Sequence, residues 1–556
     1  MAYKLSIDVG RTFVSLILLR DDTGQLAFGK TGRERSELTA DVAAGLTSLL
    51  TRTELSMADV ATVIYGTSAE PPATGGGLPA TGGGLPAGLN ERLAELGFGG
   101  RVLLMTACGR LTTPEAARNM PAQLLEAATA GGAMAGVFMS KLTGHRDLLT
   151  FDMGGSMTSV SSIMNHRPAI TYTHVAAESG PARIPVIDGV TIPLGGNSLV
   201  HLTDEGELLI GPDSAAADPG PACYGRGGEQ PTVTDANLIL GYLDEAFFLG
   251  GALPLSREAA RQAIEVHLAR PLGISVETAA LRIYGRVSEQ LAEAVRTYVA
   301  QQDRAIGDYS LLAFGGAGPL HAFDVGRLLG LAEVILPTGG GVTSALGFLA
   351  SPVADERSRD YVSRLEALDW SRLNDLFGTM EAEGFAFLKQ TAGINPPEAS
   401  VTRLAHMRLA GEEAEVTIAV PNGKLTALSL PAIDAAFREK YARQVGPVGA
   451  DAEVEALLWR VVISGPPVLF NPKRVDAASK YTIGGKDFSA LKGYRPVLFM
   501  GDDVTSSCPL YDRYRIRPND CLSGPVISEE IETTALVGRR AYARMDEHRN
   551  LIIRLR

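Results

Sequence analysis

The sequence predicts an α/β fold, and three glycine-rich elements carry this prediction. Residues 4–19 read KLSIDVGRTFVSLILL, and residues 147–163 read DLLTFDMGGSMTSVSSI. Each is an apolar strand, a tight turn that follows an aspartate, and a second apolar strand. Residues 309–322 read YSLLAFGGAGPLHA, a strand that ends in glycines and continues directly into a helical pattern.

Length and composition indicate a globular protein whose partners are small molecules or other proteins. The chain has 556 residues, of which 45% are hydrophobic and 21% are charged, which is enough for several domains with large cores. Its formal net charge is −12, and it contains no run of basic residues. Neither nucleic acid nor an anionic membrane is therefore expected as a partner.

Cysteine usage and the N-terminal stretch predict a cytoplasmic protein. Cys108, Cys223, Cys508 and Cys521 are widely scattered and form no C-x-x-C pair, which fits a reducing compartment. The stretch MAYKLSIDVG enters a strand pattern without the apolar core of a signal peptide. No window approaches the 18 uninterrupted apolar residues of a transmembrane helix.

The turns of the three elements have the chemistry of a phosphate site. A glycine-rich hairpin turn presents successive backbone N–H groups to an anion, and the aspartate before it, Asp8 or Asp152, can hold a divalent metal or orient water. Such turns are also common in hairpins that bind nothing, and this interpretation stays open for each copy alone. Glycines before a helix N-terminus add free N–H groups and a positive dipole end. In this order the elements match the actin-like ATPase (ribonuclease H-like) two-lobe fold.

Several stretches resemble the hydantoinase A/oxoprolinase family, with N-methylhydantoinase A and the ATP-using subunits of ketone carboxylases among its members. The most specific is residues 211–241, GPDSAAADPGPACYGRGGEQPTVTDANLILG. Residues 495–537 resemble the family's C-terminal β-rich domain. The other stretches are IDVGRTF, LNERLAELGF, FDMGGSMTSV, AFGGAGPLHA and GVTSALGFLASPVADERSRDYV.

The resemblance implies an ATP-dependent hydrolase of cyclic amides of the hydantoin or 5-oxoproline type. The chain would be the A-type subunit, would work with a B-type partner subunit in an oligomer, and would use ATP and Mg²⁺. Two alternatives stay open: a scaffold or binding subunit whose nucleotide site has decayed, and a subunit of a ketone carboxylase.

The resemblance also implies which residues form the site. Asp8 and Asp152 would be the catalytic residues and the Mg²⁺ ligands, because phosphoryl transfer needs positioning and charge neutralisation. The residues implied to bind the nucleotide lie in the three loops: Gly10, Arg11, Thr12, Gly154, Gly155, Ser156, Thr158, Gly315, Gly316 and Gly318.

Two departures from the family pattern favour the decayed-site alternative. Arg11 stands where relatives carry a second glycine; its Cβ restricts the turn and its bulk is able to fill the anion site, although a guanidinium can also meet a phosphate. Ser159 stands where relatives commonly carry an aspartate, so a metal-coordinating or water-orienting carboxylate is missing. The stretch DMGGS and the third glycine loop favour the enzyme.

Residues 72–89, PATGGGLPATGGGLPAGL, form a repeat that predicts a linker. Seven of these eighteen residues are glycine, three are proline and none is charged, so the segment cannot bury apolar area. It follows Gly66-Thr67-Ser68, where relatives continue into a domain-sized α/β segment. We therefore expect a bridge across an absent subdomain, of natural or engineered origin; a glycine-rich ligand-binding loop is the alternative.

Other polar residues have structural explanations as good as functional ones. Cys223 is expected to be a packed small hydrophobe, and His321 is as well placed to pack or cap a helix as to act. Asp218, Asp235 and Asn237 fit either a substrate or subunit cleft or a rigid loop framework.

Periodicity completes the expected organisation. Helices are predicted at 256–268, 277–302 and 432–441, and a helical stretch within 365–392. Short apolar runs after residue 472, separated by Asp, Gly and Pro, predict a β-rich domain. The expected domains are the first lobe (1–70), the linker (71–88), the core with the second hairpin and the adenosine-type loop (89–360), an α/β segment (361–470) and the C-terminal β-rich domain (471–556).

Overall fold

The computed structural model describes residues 3–33, 38–67, 88–118, 121–124, 126–177, 180–302, 304–449, 451–474 and 490–555. The predicted linker therefore lies outside the described residues, except for Gly88. The chain divides into a first unit of residues 1–109, 114–351 and 469–556 and a second unit of residues 110–113 and 352–468. Within the described ranges, no helix combines the length and apolar character needed to cross a membrane.

The strands are listed here in chain order: β1 (Tyr3–Val9), β2 (Phe13–Arg20), β3 (Gln25–Gly32), β4 (Val60–Thr67), β5 (Arg101–Met105), β6 (Leu111–Thr112), β7 (Leu148–Met153), β8 (Thr158–Met164), β9 (Arg167–Pro168), β10 (Ile170–Ala177), β11 (Gly180–Ile187), β12 (Gly189–Ile192), β13 (Ser198–Leu202), β14 (Leu208–Ser214), β15 (Ser310–Phe314), β16 (Glu333–Leu336), β17 (Ala354–Arg364), β18 (Ser400–Leu409), β19 (Glu415–Val420), β20 (Val454–Ser464), β21 (Lys473–Arg474), β22 (Leu491–Val497), β23 (Ser506–Asp512), β24 (Cys521–Ser523), β25 (Val526–Glu529), β26 (Thr534–Val537), β27 (Tyr542–Met545) and β28 (Leu551–Arg554).

The α-helices are α1 (Leu38–Thr53), α2 (Leu89–Glu95), α3 (Pro114–Arg118), α4 (Ala127–Thr143), α5 (Val233–Ile239), α6 (Arg257–Ile264), α7 (Arg270–Leu272), α8 (Val276–Ala300), α9 (Gly318–Leu329), α10 (Thr343–Ala350), α11 (Trp370–Ala392) and α12 (Leu430–Gln444). A π-helical turn joins α6 to α7. The helices predicted from periodicity are confirmed as α6, α8, α11 and α12, with ends that differ by a few residues.

The first sheet of the first unit has the order β21-β3-β2-β1-β4-β5. Strands β1 and β2 form the predicted antiparallel hairpin, which places Asp8 opposite Ser15. Strand β4 then pairs parallel with β1. Helix α1 buries Val42, Leu46 and other apolar residues in the core of this sheet.

The second sheet repeats this arrangement. Its order is β12-β8-β7-β15-β16-β28-β27-β24. Strands β7 and β8 form the second predicted hairpin, with Asp152 opposite Ser159, and β15 pairs parallel with β7. Each sheet therefore places an aspartate at the end of a central strand, beside the turn of its own hairpin, and the α/β prediction is confirmed.

The C-terminal residues are rich in strands, as predicted, and they belong to the first unit. Strands β24, β27 and β28 extend the second sheet through the pairing of β28 with β16, and β22, β23, β25 and β26 form a four-stranded sheet. Buried side chains such as Val497, Ile527 and Ile553 share one hydrophobic cluster with Phe151 and Leu311. The short apolar runs thus complete the core of the second lobe.

The second unit covers most of the predicted α/β segment. Its four-stranded sheet has the order β17-β20-β18-β19. Helices α11 and α12 supply Phe377 and Phe437 to a core around the fully buried Trp459.

Candidate functional site

The turns of the two hairpins have the same geometry. In the first, the N–H of Gly10 donates to the carbonyl of Phe13 at 2.9 Å; in the second, the N–H of Gly154 donates to the carbonyl of Met157 at 2.9 Å. Each turn therefore encloses two residues between an aspartate-bearing strand and its return strand. The repeated motif in the sequence corresponds to a repeated local structure.

The two turns approach each other closely. A Cβ added to Gly155 would lie 2.4 Å from the Oγ1 of Thr12, so only glycine fits the second turn at this point. A hydrogen bond fixes the second turn: the N–H of Gly196 donates to the carbonyl of Gly154 at 3.0 Å. The Thr12 hydroxyl is buried without a hydrogen-bond partner among the described residues. Such a hydroxyl is available to a ligand between the turns.

Asp8 and Asp152 form the acidic floor between the turns. Burial raises the pKa of Asp8 to about 6, and the hydroxyl of Ser344, near the start of α10, donates to its Oδ2. Burial raises the pKa of Asp152 to about 7, and the negative charge of Asp8 adds to this rise. The Oδ1 of Asp8 is buried and has no hydrogen-bond partner among the described residues. Both carboxyls are thus poised to bind a cation or a proton.

The third glycine loop closes over Asp152. Gly315 has φ +88°, and a Cβ there would lie 2.5 Å from the Oδ1 of Asp152 and 2.4 Å from the carbonyl of Met153. Ala317 N–H donates to that same carbonyl at 3.0 Å, just before α9 begins at Gly318. The loop therefore joins the N-terminus of α9 to the second aspartate, as the strand–loop–helix pattern predicted.

Sequence reasoning missed Lys30, a residue of β3 whose charge interacts with both aspartates. Its Nζ donates to the carbonyls of Gly341 at 3.0 Å and Glu532 at 3.1 Å. Burial lowers the pKa of Lys30 to about 8, whereas the charges of Glu532, Asp152 and Asp8 oppose this change. Lys30 in turn lowers the pKa of both aspartates. It is the counter-charge of the acidic floor.

The C-terminal segment between β25 and β26 also belongs to the site, and sequence reasoning missed it as well. Thr533 donates its hydroxyl to the carbonyls of Gly315 at 3.2 Å and Gly316 at 3.1 Å. Glu530 accepts from Gly339 N–H at 2.9 Å. The only signal was the polar string SEEIETT, which follows an apolar strand but has no recognisable spacing.

These elements enclose a cleft with a cavity volume of about 260 Å³. Arg11, one of the two departures from the family pattern, is exposed at the edge of the cleft and leaves the cavity open. Ser159, the other departure, also lines the cleft, and its hydroxyl lies 3.3 Å from the hydroxyl of Thr129. Most of the predicted site residues line the cleft together: Asp8, Gly10, Arg11, Thr12, Asp152, Gly154, Gly155, Ser156, Gly315 and Gly316.

Two predicted nucleotide-binding residues are not among the residues that line the cleft. Thr158 is buried in β8, where its hydroxyl donates to the carbonyl of Leu194 at 2.6 Å. Gly318 is buried at the start of α9, and a Cβ there would contact Met153 N at 3.4 Å. Their surroundings indicate packing, because β8 and α9 turn these positions toward the protein interior.

The remaining polar residues divide between packing and the cleft. His321 is fully buried, stacks on Tyr284 at 4.6 Å, and burial lowers its pKa to about 3. Cys223 is fully buried, and burial raises its pKa well above the usual range. Asp235 accepts from Cys223 N–H at 2.7 Å and from the N–H of Thr232, the N-cap of α5, at 2.8 Å, as in a rigid framework. Asp218 is exposed, whereas Asn237 lines the cleft.

The donor set fits a magnesium–nucleotide complex. No group of three or more His, Cys, Asp or Glu side chains placed to hold a metal occurs in the described part of the chain. Mg²⁺ is usually bound by one or two carboxylates together with phosphate oxygens and water, and Asp8 offers a buried, unpartnered carboxylate oxygen. The glycine turns leave room where a Cβ would intrude.

Comparison with known proteins shows which family and which curated relatives this chain resembles. Residues 86–357 match the family model described as "Hydantoinase/oxoprolinase". The chain is 30% identical to the caprolactamase subunit alpha of Pseudomonas jessenii over 76% of this chain and 60% of the relative. It is 25% identical to the acetophenone carboxylase gamma subunit of Aromatoleum aromaticum over 82% of this chain and 63% of the relative. It spans less than two thirds of the length of these curated relatives.

A solved structure supports the fold. The nucleotide-free structure of acetone carboxylase superimposes with a TM-score of 0.79 at 17% identity, and the match covers 99% of each chain. The predicted actin-like two-lobe architecture is confirmed by this likeness together with the paired hairpins.

Proposed function

Because this chain belongs to the hydantoinase/oxoprolinase family, we propose that it uses ATP to activate a cyclic amide for hydrolysis, as the ATP-using subunit of an amidohydrolase. One observation carries this function: Asp8, Asp152 and Lys30 line the same cleft, next to two hairpin turns that leave space for phosphates.

The residues of the cleft are suited to phosphoryl transfer from ATP to the amide oxygen. The carbonyl oxygen of the amide attacks the γ-phosphorus, the bond from that phosphorus to the β–γ bridging oxygen breaks, ADP leaves with the electron pair, and the amide N–H proton passes to water. The N–H groups of the turns and the ammonium of Lys30 would hold the phosphates in line. Asp8 and Asp152 would hold Mg²⁺, which neutralises charge on the transferring group when bound.

On a B-type partner subunit, one water would add to the activated carbon and break the ring C–N bond, which releases the amine. A second water would then release inorganic phosphate from the resulting acyl phosphate and leave a carboxylate. The assembly would work in the cytoplasm. A relative named caprolactamase subunit alpha supports both the amide substrate and the need for a partner. The similarity to the acetophenone carboxylase gamma subunit supports a second candidate, the ATP-using subunit of a ketone carboxylase.

Acceptor-dependent ADP formation tests the proposal. The purified chain is incubated with Mg-ATP and, in separate reactions, with hydantoin, 5-oxoproline, caprolactam, or a ketone with bicarbonate. We expect a cyclic amide to raise the rate of ADP release at least about tenfold above the rate without acceptor. Stimulation by ketone and bicarbonate alone would establish the second candidate, and absence of ATP binding at millimolar concentration would eliminate both in favour of a scaffold.

A matched pair of glycine substitutions tests the geometry of the turns. Gly155→Ala is expected to lower the rate of ADP formation about tenfold or more, because the new Cβ would press on Thr12 at 2.4 Å and separate the two turns. Gly307→Ala is the control, since a Cβ there would have no heavy atom within 4 Å and Gly307 does not line the cleft. Equal rates in both variants, with unchanged unfolding temperatures, would contradict the role of this contact.

A further inference from the structure

Asn237 is a buried polar residue that lines the cleft and has no part in the chemistry described so far. It lies on α5 and is only 1% exposed. Its Nδ2 lies 3.3 Å from the Nε2 of His321, whereas its Oδ1 is buried without a hydrogen-bond partner among the described residues. A buried amide oxygen without a partner costs free energy, and a hydrogen-bond donor on a ligand would offset this cost.

A chain of hydrogen bonds fixes the orientation of this amide. The hydroxyl of Ser288 donates to the carbonyl of Tyr284 at 3.0 Å, because a carbonyl oxygen can only accept. The same hydroxyl lies 3.4 Å from the Nδ1 of His321, so Nδ1 carries the ring proton and donates it. Burial lowers the pKa of His321 to about 3, so the ring is neutral and its Nε2 accepts from Asn237 Nδ2. The Oδ1 of Asn237 is therefore the atom that faces a ligand.

Packing between α8 and α9 holds the imidazole in place. His321 is fully buried, and its ring stacks on that of Tyr284 with the centroids 4.6 Å apart. The hydroxyl of Tyr284 lies 2.9 Å from the carbonyl of Leu320 and 3.0 Å from the Oδ2 of Asp324. The ring that orients Asn237 is thus fixed by two helices of the core.

Asn237 lies a helical turn away from the residues that hold the phosphate turns. Thr234, one turn earlier on α5, donates its hydroxyl to the carbonyl of Gly196 at 2.7 Å, and Gly196 in turn fixes the second hairpin turn. His321 lies in the first turn of α9, which follows the third glycine loop. The apolar residues that line the same cleft are Leu243, Phe248, Leu249, Leu320 and Ile531. Such side chains suit the faces of a flat ring, and an amide suits its polar edge.

A neutral acceptor oxygen selects one part of the nucleotide. The phosphates of ATP present acceptor oxygens, which do not pair with Oδ1. Adenine carries an amino group at position 6, a hydrogen-bond donor on the edge of a flat ring. Guanine and hypoxanthine carry a carbonyl oxygen at that position, which would meet Oδ1 as acceptor against acceptor. The other donor is the N–H of a cyclic amide, but no hydrogen bond in the described part of the chain joins Asn237 to the acidic floor where that amide would react.

We propose that Asn237 recognises the adenine of ATP by accepting a hydrogen bond from its 6-amino group, and that His321 and Ser288 are positioning residues that hold the amide in this orientation. This inference rests on the proposed use of ATP, to which it adds a preference for adenine over other purines. It is independent of the identity of the phosphoryl acceptor.

Calorimetric titration with two matched nucleotides tests the inference on the full chain, with Mg²⁺ and without a phosphoryl acceptor. ATP and ITP differ only at the purine edge, where the amino group of adenine is replaced by a carbonyl beside a protonated N1. We expect the Kd for ITP to be at least about tenfold higher than the Kd for ATP. Asn237→Ala should bring the two Kd values to within about threefold of each other, because the discriminating oxygen is gone.

Ser288→Ala gives a readout that a loss of packing would not produce. Without the hydroxyl, the Nδ1 of His321 has no acceptor, so the ring proton moves to Nε2 and the amide of Asn237 turns its nitrogen toward the cleft. The ratio of the Kd for ITP to the Kd for ATP should then fall at least about tenfold, with tighter binding of ITP. Ser371→Ala, at an exposed position of α11, is the control and should leave this ratio unchanged.

The possible outcomes separate this inference from the proposed function. Equal Kd values for ATP and ITP in the unaltered protein, or a preference for ATP that persists in both variants, would overturn the inference and leave amide activation standing. A preference that is lost in Asn237→Ala and reduced in Ser288→Ala would support it even if no cyclic amide stimulates ADP formation. An unchanged ratio in Asn237→Ala, with a KM for the cyclic amide raised about tenfold, would overturn it by assigning Oδ1 to the amide N–H. Absence of binding by both nucleotides would overturn the inference together with the use of ATP.

Discussion

Replacing Asp152 with asparagine is expected to lower acceptor-dependent ADP formation at least about 100-fold. Asp152 lies at the floor of the cleft, beneath the third glycine loop, where an added Cβ on Gly315 would meet its Oδ1 at 2.5 Å. The asparagine side chain has the same shape as the aspartate carboxylate, but it lacks the negative charge that would hold Mg²⁺. The measurement is the rate of ADP release at saturating Mg-ATP, with ATP affinity measured separately.

Asp204→Asn is the matched control, because Asp204 is exposed on a turn far along the chain from the hairpins. A rate for Asp152→Asn within about threefold of the unaltered protein would contradict a catalytic role.

The pH dependence of stability gives a second readout for Asp152. Its pKa of about 7 in the folded protein lies above the ordinary value of 3.8, so the folded state holds a proton that the unfolded state releases. Without Mg²⁺, the free energy of unfolding should therefore fall as pH rises from about 4 to about 7. Asp152→Asn should reduce this fall, and the part due to Asp8 should remain. Thermal unfolding with a chelator measures it; an identical slope in the variant would refute the assignment.

Replacing Lys30 with methionine is expected to lower ADP formation by about 100-fold as well. The substitution removes the counter-charge of Asp8 and Asp152, and leaves the carbonyls of Gly341 and Glu532 without the Nζ donor. Because the ammonium lowers the pKa of Asp152, that pKa should rise further in the variant. The acidic limb of the pH–rate profile should then move to higher pH.

The pH–rate profile distinguishes an electrostatic role of Lys30 from a structural one. Lys30→Arg keeps the charge and should keep the position of the acidic limb, even where the longer side chain slows the reaction. Lys424→Met, at an exposed position in the second unit, is the control. An unshifted profile in Lys30→Met, together with a lower unfolding temperature, would show that Lys30 only supports the fold.

Much of the candidate site was predictable because each of its turns is formed by residues that are close together in the sequence. An aspartate, a glycine and a hydroxyl within five residues of an apolar strand define each hairpin, and the structure brings Asp8, Thr12, Asp152 and Ser156 to one cleft. Thr158 and Gly318 carry the same local signal, yet they face the interior. The direction in which a residue next to a turn points depends on packing partners that the turn sequence does not contain.

Lys30 and the segment around Thr533 show what the sequence could not reveal. Lys30 is 311 residues from Gly341 and 502 residues from Glu532, whose carbonyls it binds. Thr533 is more than 200 residues from the glycine loop that it supports. No periodicity or spacing encodes such pairs, since they are set by the closure of the second sheet through β16 and β28.

The sequence by itself determined the two hairpins, the third glycine loop, the family resemblance and the main helices, because these depend on residues that are neighbours along the chain. Only the tertiary structure decided that the C-terminal strands complete the second lobe and that Lys30 balances two buried carboxyls. The physical reason is that burial and charge balance are properties of packed surfaces, and these surfaces bring together residues hundreds of positions apart.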